Sequence, residues 1–348
     1  MRQLLYSIRH QALTFALAAA TTAGITSCNT VWDNDDCGTE YRVKFKYDYN
    51  MLFTDAFATQ VPSVTLYAFD SQDRLVFKKS ESGELLAADD YYMTLDVDPG
   101  QYRLVAWAGL SEEDNSYEVP ELTVGQHTLT DLQCRINRYP HLAHGGQQVD
   151  SVGQLAALWH GVVPAQTVTR ANTYSTEYVT VPLVKNTHTL RIILQQMAEG
   201  QMNAADFEIS VTDQNGLMLH DNSLAEEDGT LTYLAYHQTQ GTTAVEGEGN
   251  GLNVVVAELN TGRLMADADT RLTISNRRDG TIILSIPLIQ YLELCRTVAN
   301  YDMPLQEYLD REDTYAITFF LDSDKAWINT QIIINDWIVR YNDITPKF

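Results

Sequence analysis

Cys28 is the residue whose neighbours give it the most specific chemistry in this sequence. It ends the run Ile25-Thr26-Ser27-Cys28, in which a branched apolar residue and two small residues precede the cysteine. Such a lipobox marks the thiol for alkylation with diacylglycerol before the preceding segment is cleaved. One acyl chain gives only marginal membrane binding, whereas several chains give stable anchoring. The alternative is an ordinary signal peptide with an incidental cysteine.

Residues 1–27 have the pattern of an export signal. Arg2 and Arg9 form a positive start, and an alanine-rich apolar stretch follows over residues 12–25. That stretch is too short and too weakly apolar for a spanning helix. We therefore expect a mature chain that begins at Cys28, is held at the outer membrane by lipid, and continues through an acidic linker over residues 28–38.

Three further cysteines follow: Cys37, Cys134 and Cys295. They permit one disulfide and one remaining thiol, and the sequence leaves the pairing open. Cys37 with Cys134 is the pairing that we carry as a hypothesis. The sequence contains neither a CxxC pair nor a Cys/His ladder, so we predict no zinc site.

Other candidate motifs are weaker. His141 and His144 have an HxxH spacing but lack the glutamate of HExxH, so a polar loop is favoured over a metal site. Residues 213–216 (DQNG) and 322–325 (DSDK) carry oxygens suited to calcium without the EF-hand spacing, which favours β-turns. The sequence has no GxSxG, P-loop or GxGxxG motif, so we predict neither an enzyme nor a cofactor. A net charge of −23 argues against nucleic acid as a partner.

The aromatic residues suggest an alternative function. The sequence has 19 tyrosines, and rings on exposed loops would suit stacking on sugars, as in a surface glycan-binding lipoprotein. Most of these tyrosines lie in alternating strands, however, which is typical of half-buried sheet residues. The acidic residues 33–36 indicate either a solvated linker or a mark for export to the outer face of the outer membrane.

Most of the remaining sequence alternates like β-strands. Residues 41–49 place Tyr41, Val43, Phe45 and Tyr47 on one face. Further strands are predicted at 63–70 and 91–109, and the pattern of 43–77 returns at 190–221. This repetition predicts two copies of one β-sandwich plan, with a boundary near Asn186. Residues 288–298 and 304–309 are predicted helical, as is a short segment at 152–161, and the chain closes with an apolar strand pair.

In several stretches the chain resembles the FimB-type fimbrillin-associated anchor proteins of type V fimbriae. The resemblance is carried by "FKYDYNMLFTDAF", "VTLYAFD", "LDVDPGQYRLVAWAG", "TVPLVKNTHTLRIIL" and "INDWIVRYND", which follow Cys28 in the family's order. It implies an all-β chain with two transthyretin-like antiparallel β-sandwich domains, at residues 39–186 and 187–348. It also implies an outer-membrane lipoprotein that holds the base of a fimbrium on the cell, limits its length and binds shaft subunits.

The resemblance also suggests how strands are used. Shaft subunits of these fimbriae lose an N-terminal strand to an arginine-specific protease, and a neighbour's strand fills the opened groove. An anchor cut in this way would leave the membrane, so we predict that residues 41–49 stay attached and that Arg42 is not cleaved. We assign the shaft contact to the C-terminal strand at 330–341, through Ile332, Ile334, Trp337 and Val339. A home strand of the second sandwich is the alternative.

Overall fold

The computed structural model describes residues 38–111, 113–140, 146–149, 153–171, 174–197, 202–243, 252–328 and 331–340. The strands in these residues are β1 (Thr39–Lys46), β2 (Ser63–Asp70), β3 (Leu75–Ser82), β4 (Met93–Leu95), β5 (Gly100–Ala108), β6 (Tyr117–Glu118), β7 (Gln133–Ile136), β8 (Arg138–Pro140), β9 (Gln147–Val149), β10 (Trp159–Val168), β11 (Ser175–Lys185), β12 (His188–Gln196), β13 (Phe207–Asp213), β14 (Leu217–Leu219), β15 (Leu231–Leu234), β16 (His237–Thr243), β17 (Leu252–Thr261), β18 (Arg271–Asn276), β19 (Ile282–Pro287), β20 (Thr314–Leu321), β21 (Gln331–Ile334) and β22 (Trp337–Arg340). The α-helices are α1 (Phe57–Gln60), α2 (Leu288–Val298) and α3 (Leu305–Arg311).

The first sandwich is a seven-stranded sheet that folds over on itself, in the order β3-β2-β5-β10-β11-β1-β4. Strands β10 and β11 pair only where Trp159–Gly161 face Leu183–Lys185, so the sheet divides there into two layers. The inward residues of both layers form one apolar core, which includes Val43, Leu66 and Leu104. Alternation along β1 buries Tyr41, Val43 and Phe45, as the sequence pattern predicts.

The second sandwich repeats this plan. Its sheets have the orders β16-β17-β12-β20-β21-β22 and β19-β18-β13-β15-β9-β8. The run β17-β12-β20 corresponds to β4-β1-β11, and β15-β13-β18-β19 corresponds to β3-β2-β5-β10. The hairpin β21–β22 lies beyond β20, where the first sandwich has no corresponding strand among the described residues. The predicted all-β sandwich fold is thus confirmed.

Not every strand pair is antiparallel. Strand β1 runs parallel to β11, β12 runs parallel to β20, and β9 runs parallel to β15. In the first two cases the pair joins an early and a late strand of one sandwich, because the chain crosses between layers before it returns. Periodicity in a sequence reports which face is buried and carries no information about strand direction.

The helical predictions have mixed outcomes. Helices α2 and α3 confirm the predictions at 288–298 and 304–309. The short helix predicted at 152–161 is wrong: residues 153–158 are irregular, and β10 begins at Trp159. Leu155 and Leu158 are buried there, so their apolar spacing reports contact with the core rather than a helical face.

A segment of the first half of the chain joins the second sandwich. We call residues 117–149 the strap, within which the structure describes 117–140 and 146–149. Its strand β7 pairs with β14, and β9 pairs with β15. The domain limits 39–186 and 187–348 stay a prediction, and the strap is the part of the first range that pairs with the second sandwich.

The strap explains why β2 and β5 are buried on both faces. Their outer side chains Tyr67, Phe69, Val105 and Trp107 are at most 2% exposed and share one cluster with the strap and the second sandwich. The Trp107 ring lies 4.6 Å from that of His160. His160 contacts the backbone oxygen of His220 through Nε2 at 2.9 Å, and burial lowers the pKa of this imidazole to about 4.

Polar contacts also join the two sandwiches. Lys185 donates to Asp313 at 2.5 Å, on the connection between the sandwiches. The guanidinium of Arg311 in α3 lies 4.1 Å from the Tyr49 ring centre and donates to the backbone oxygens of Asp48 and Asn50. The loop that follows β1 is therefore held by a helix of the second sandwich.

The strap is held by a buried ion pair, which gives a stability prediction. Both Asp228 oxygens accept from Arg138 Nη1 at 2.9 Å, and Arg138 Nη2 donates to the Gly216 backbone oxygen at 2.8 Å. Arg138→Ala would remove the hydrogen-bonded partner of the 5% exposed Asp228 carboxylate and leave only the more exposed Arg135 guanidinium, 3.8 Å away. We expect the free energy of unfolding, measured in urea, to fall by about 3 kcal/mol, the lower end of the range for breaking a buried ion pair.

The control for this prediction is Arg103→Ala. Arg103 lies 3.9 Å from Asp73, and both side chains are at least 36% exposed. Removing this exposed pair should cost less than about 1 kcal/mol. Equal losses in the two variants would contradict a structural role for the Arg138 pair.

Glu312, which follows α3, gives a prediction on pH. Burial raises the pKa of this carboxyl to about 7, and a hydrogen bond from the Thr314 backbone opposes the rise. Since the folded pKa lies above the unfolded value, stability should fall as pH rises from about 5 to 8. We expect Glu312→Gln to remove about 2 kcal/mol of that fall, after allowing for partial solvent exposure.

The measurement is urea unfolding of both proteins at pH 5 and pH 8. The two should differ little at pH 5, where the native carboxyl is protonated, and the glutamine variant should be the more stable at pH 8. An unchanged pH dependence in the variant would contradict this role for Glu312.

Candidate functional site

The C-terminal strand pair is a β-hairpin at the edge of the second sandwich. Asn335 and Asp336 form its turn, and both have positive φ, 46° and 68°, as two-residue hairpin turns of type I′ require. Strand β21 pairs with β20 where Ile333 and Ile334 face Thr318 and Ile317. The hairpin thereby extends the sheet by two strands.

The predicted contact residues divide between the two strands of this hairpin. Ile332 and Ile334 are buried in the core, at 3% and 0% exposure. Trp337 is 42% exposed and its neighbour Ile338 is 49% exposed. Val339 pairs with Ile332 through the backbone. Strand β21 is therefore a home strand, whereas β22 is the last strand of the described sheet, presents apolar side chains at the surface and packs beside helix α2.

Strand β1 is held on both sides. It pairs with β11 along all eight residues and with β4 at Tyr41–Val43. Arg42 lies in the middle of both ladders, and its side chain donates to Glu40 Oε2 at 2.8 Å. Proteolysis needs an accessible extended backbone, so this pairing supports the prediction that Arg42 stays uncut.

A group of tyrosines lies on and beside the outer face of this layer. Tyr174 and Tyr178 are 64% and 56% exposed. The ammonium of Lys44 lies 5.0 Å from the Tyr178 ring centre, and the Arg42 guanidinium lies 4.1 Å from that of Tyr92. Each cation lies over one ring face of Tyr92 or Tyr178, so that face is not open for stacking on a sugar.

The two turn motifs proposed as calcium ligands serve as local hydrogen-bond acceptors in the described structure. The Asp322 carboxylate accepts hydrogen bonds from the backbone N–H groups of Asp324 and Ala326 and so stabilises the turn over these residues. The Asp213 carboxylate accepts from the Thr270 hydroxyl and from the Gln214 backbone N–H. Among the described residues, no three His, Cys, Asp or Glu side chains are placed to hold a metal ion. None of the helices in this part of the chain has the length and apolarity needed to cross a membrane. His141 and His144 lie outside the described residues.

Two of the four cysteines are buried thiols. Cys134 lies in β7 and Cys295 in α2, and both are free among the described residues. Burial raises the pKa of each thiol, which suppresses its reactivity. Cys28, Cys37 and the acidic residues 33–36 lie outside the described residues. Lipidation of Cys28 and the Cys37–Cys134 pairing therefore stay predictions.

Two exposed apolar features are not predicted by the sequence pattern. Leu52 and Phe53, which are 75% and 61% exposed, form an apolar loop tip beside Arg311. The exposure of Ile338 next to Trp337 was also not foreseen. In both cases an apolar residue type predicts burial, and only the three-dimensional contacts show that it faces solvent.

Comparisons with known proteins identify the family. The family model described as fimbrillin-A associated anchor proteins Mfa1 and Mfa2 matches residues 34–343. A candidate adhesin of known structure from Bacteroides thetaiotaomicron is 34% identical, with a TM-score of 0.74 over 86% of this chain and 97% of that one. A candidate polysaccharide-binding protein from the same organism is 32% identical, with a TM-score of 0.73 over 87% and 98% of the two chains.

A more distant structure shows the same fold. The fimbrial anchor protein Mfa2 from Porphyromonas gingivalis is 17% identical, with a TM-score of 0.61 over 87% of this chain and 99% of that one. No curated protein matches the chain. The extent of the family match confirms the resemblance seen in the sequence: the chain belongs to the family of fimbrillin-A associated anchor proteins.

Proposed function

We propose that this protein is an outer-membrane lipoprotein that anchors the base of a fimbrium and limits the length of the fibre. Lipid on Cys28 holds it in the membrane, and its C-terminal hairpin contacts the first shaft subunit without a covalent bond. The observation that carries the proposal is the pairing of β1 on both sides. That pairing keeps the strand that follows the lipid attachment inside the folded protein.

The fimbrial end of the proposal rests on the edge of β22. An edge strand offers unpaired N–H and C=O groups to which an extended segment can add, and nearby side chains give specificity. Here Trp337 and Ile338 lie on that strand, and large aromatic residues are enriched among the side chains that dominate binding energy. Ile332 and Ile334 of the neighbouring strand β21 are buried, and they fix the hairpin to the core.

Glycan binding is the competing function, and a candidate polysaccharide-binding protein is among the relatives. The covered ring faces of Tyr92 and Tyr178 weigh against it, because a pyranose ring needs a free aromatic face on which to stack. Binding of cell-surface polysaccharide that is lost in a Tyr174→Ala, Tyr178→Ala double variant would favour the competitor.

The proposed attachment to the membrane is tested with the substitution Cys28→Ala. Without the thiol there is no site for lipid, so we expect fimbriae to be shed into the medium. The measurement is the ratio of shaft subunit in the medium to shaft subunit on cells. Cell-attached fibres of normal length, with the variant protein present at normal abundance, would refute the anchoring role.

The fimbrial end is tested with a Trp337→Ala, Ile338→Ala double variant. Loss of two apolar contacts from the β22 edge should reduce co-purification of shaft subunit at least tenfold, while the fold and lipidation persist. Ile282→Ala is the matched control, since Ile282 is 62% exposed on the edge strand β19. Equal co-purification by both variants would exclude β22 as the contact.

A further inference from the structure

One sheet of the second sandwich, β16-β17-β12-β20-β21-β22, carries a row of apolar side chains on its outer face. Pairing in register across five strands forms this apolar row, which consists of Val256, Ile193, Thr318, Ile333 and Ile338. Ile192 and Ile317, which neighbour two members of the row in the chain, point into the core. Because side chains alternate along a strand, the apolar row lies on the opposite, outer face.

Two side chains beside the apolar row, on the same face, are nearly inaccessible to solvent. Gln195 pairs with Val254 on one side and with Phe320 on the other. Val254 is 7% exposed and Phe320 is 9% exposed. Neither side chain belongs to the two apolar core clusters of the described residues. A side chain on an open sheet face keeps part of its surface in water, so the burial of this pair indicates a cover on the outer face.

Helices α2 and α3 lie on the other side of this sheet. Tyr308 of α3 packs edge-on against Tyr315, which faces the core from β20. Leu292 of α2 belongs to the same core cluster. Both helices therefore cover the core side, and the cover of Val254 and Phe320 has another source.

The corresponding layer of the first sandwich has a different outer face. The outward residues in the middle and at the end of β1 are all cationic: Arg42, Lys44 and Lys46. In β12, the counterpart of β1, Ile193 takes the middle outward position. Charged side chains are stable in water, whereas a row of apolar side chains gains stability from a cover. The need for a cover is thus specific to the second sandwich.

The chain itself offers a segment of the right composition. Four stretches that adjoin strands of this sheet lie outside the described residues: 198–201, 244–251, 329–330 and 341–348. The first three together contain one large apolar residue, Val245. The last has the sequence YNDITPKF and contains Tyr341, Ile344 and Phe348. Of the four, residues 341–348 therefore have the side chains best able to bury an apolar face.

We propose that residues 341–348, the C-terminal segment, lie across the outer face of this sheet and cover Val254 and Phe320. The C-terminal segment starts directly after Arg340, which pairs with Gln331. Since Ile333 pairs with Thr318 in an antiparallel ladder, Gln331 is level with Phe320. The C-terminal segment therefore leaves β22 at the level of the two buried side chains.

The length of the C-terminal segment fits the distance to be covered. From β22 to Val254 in β17 there are four spacings between neighbouring strands, or about 19 Å. Eight extended residues reach up to about 26 Å. Asn342 and Asp343 favour turns, as the change of direction after β22 requires. The C-terminal segment can therefore place its apolar side chains over both buried residues.

The cover leaves the proposed contact with the shaft subunit free. Ile338 lies at the end of the apolar row and is 49% exposed, and Trp337 is 42% exposed. Val254 and Phe320, in contrast, lie in the interior strands β17 and β20. The two proposals thus concern different surfaces, and the C-terminal cover does not depend on the anchoring function.

The test uses Gln195→Cys in the purified full-length lipoprotein as a reporter thiol between the two buried side chains. The measurement is its rate of labelling by a maleimide, assigned by peptide mass mapping. The reporter is combined with serine at the three apolar positions of the C-terminal segment, Tyr341, Ile344 and Phe348. The matched control has serine at three polar positions, Asn342, Thr345 and Lys347. We expect labelling on the order of tenfold faster in the first variant and a change of less than about twofold in the control, because only the first loses the cover.

Three results would overturn the proposal. The first is a reporter that, with the natural C-terminal segment, reacts as fast as Thr180→Cys, a reference thiol on the exposed outer face of β11. The second is an equal rate with the natural segment and with the triple serine segment. The third is loss of protection when the reporter protein is diluted, which would assign the cover to a second copy of the chain.

A double-mutant cycle provides a second measurement without a reporter thiol. Phe320→Ala is made in the unmodified protein and in the triple serine variant, and the urea midpoint of unfolding is measured for all four proteins. Substitutions at groups in contact have non-additive effects. We therefore expect Phe320→Ala to lower the midpoint less when the C-terminal segment has already lost its apolar side chains. Equal decreases in the two backgrounds would contradict contact between the segment and Phe320.

Discussion

The burial of β2 and β5 on both faces is the constraint on which the rest of this structure depends. A sheet normally covers one face with the opposite layer of its sandwich, and its other face is wet. Here Tyr67, Phe69, Val105 and Trp107 fill the second face as well. Burial of each such side chain contributes roughly 1.5–3 kcal/mol to the free energy of folding. Separating the strap and the second sandwich from this surface would therefore be strongly unfavourable. The outer face of the first sandwich consequently belongs to the same apolar cluster as the core of the second sandwich, while the first sandwich keeps a separate core between its own layers.

That shared cluster bears on the role of the family. A fimbrial anchor works between a cell surface and a fibre, and the family associates this chain with fimbriae. The polar contacts of Lys185 and Arg311 lie at the same junction as the shared cluster. Relative motion of two domains is the usual expectation for small polar interfaces, whereas a large apolar one restrains it. The apolar cluster that the two described sandwiches have in common therefore restrains their relative motion.

The sequence predicts some levels of this organisation well and others not at all. Alternation in β1 identifies its core face, and the repeated pattern identifies the second sandwich, because both depend on local periodicity.

The strap has strands of only two to four residues, too short to show a period, and its partners lie far away in the chain. Burial of Tyr67 and Trp107 against those partners was therefore invisible, and tyrosine and tryptophan are ordinary residues for a half-exposed strand. The open edge of β22 depends on the lack of a further strand beside it among the described residues, and no residue type encodes a missing neighbour. Cys28 is the opposite case, since its lipobox is read from four adjacent residues while the structure describes none of them.

The parallel pairing of β1 with β11 has a mechanical consequence. A tether that pulls on residue 38 draws β1 lengthwise along its neighbours, with β11 on one side and β4 on the other. In this direction the rungs of both ladders carry the load together, as in shear, and they do not open one after another as in peeling. Detaching a strand whose hydrogen bonds are loaded together requires a larger force than breaking the same hydrogen bonds one at a time. The first described strand is thus paired in the geometry that shear loading requires.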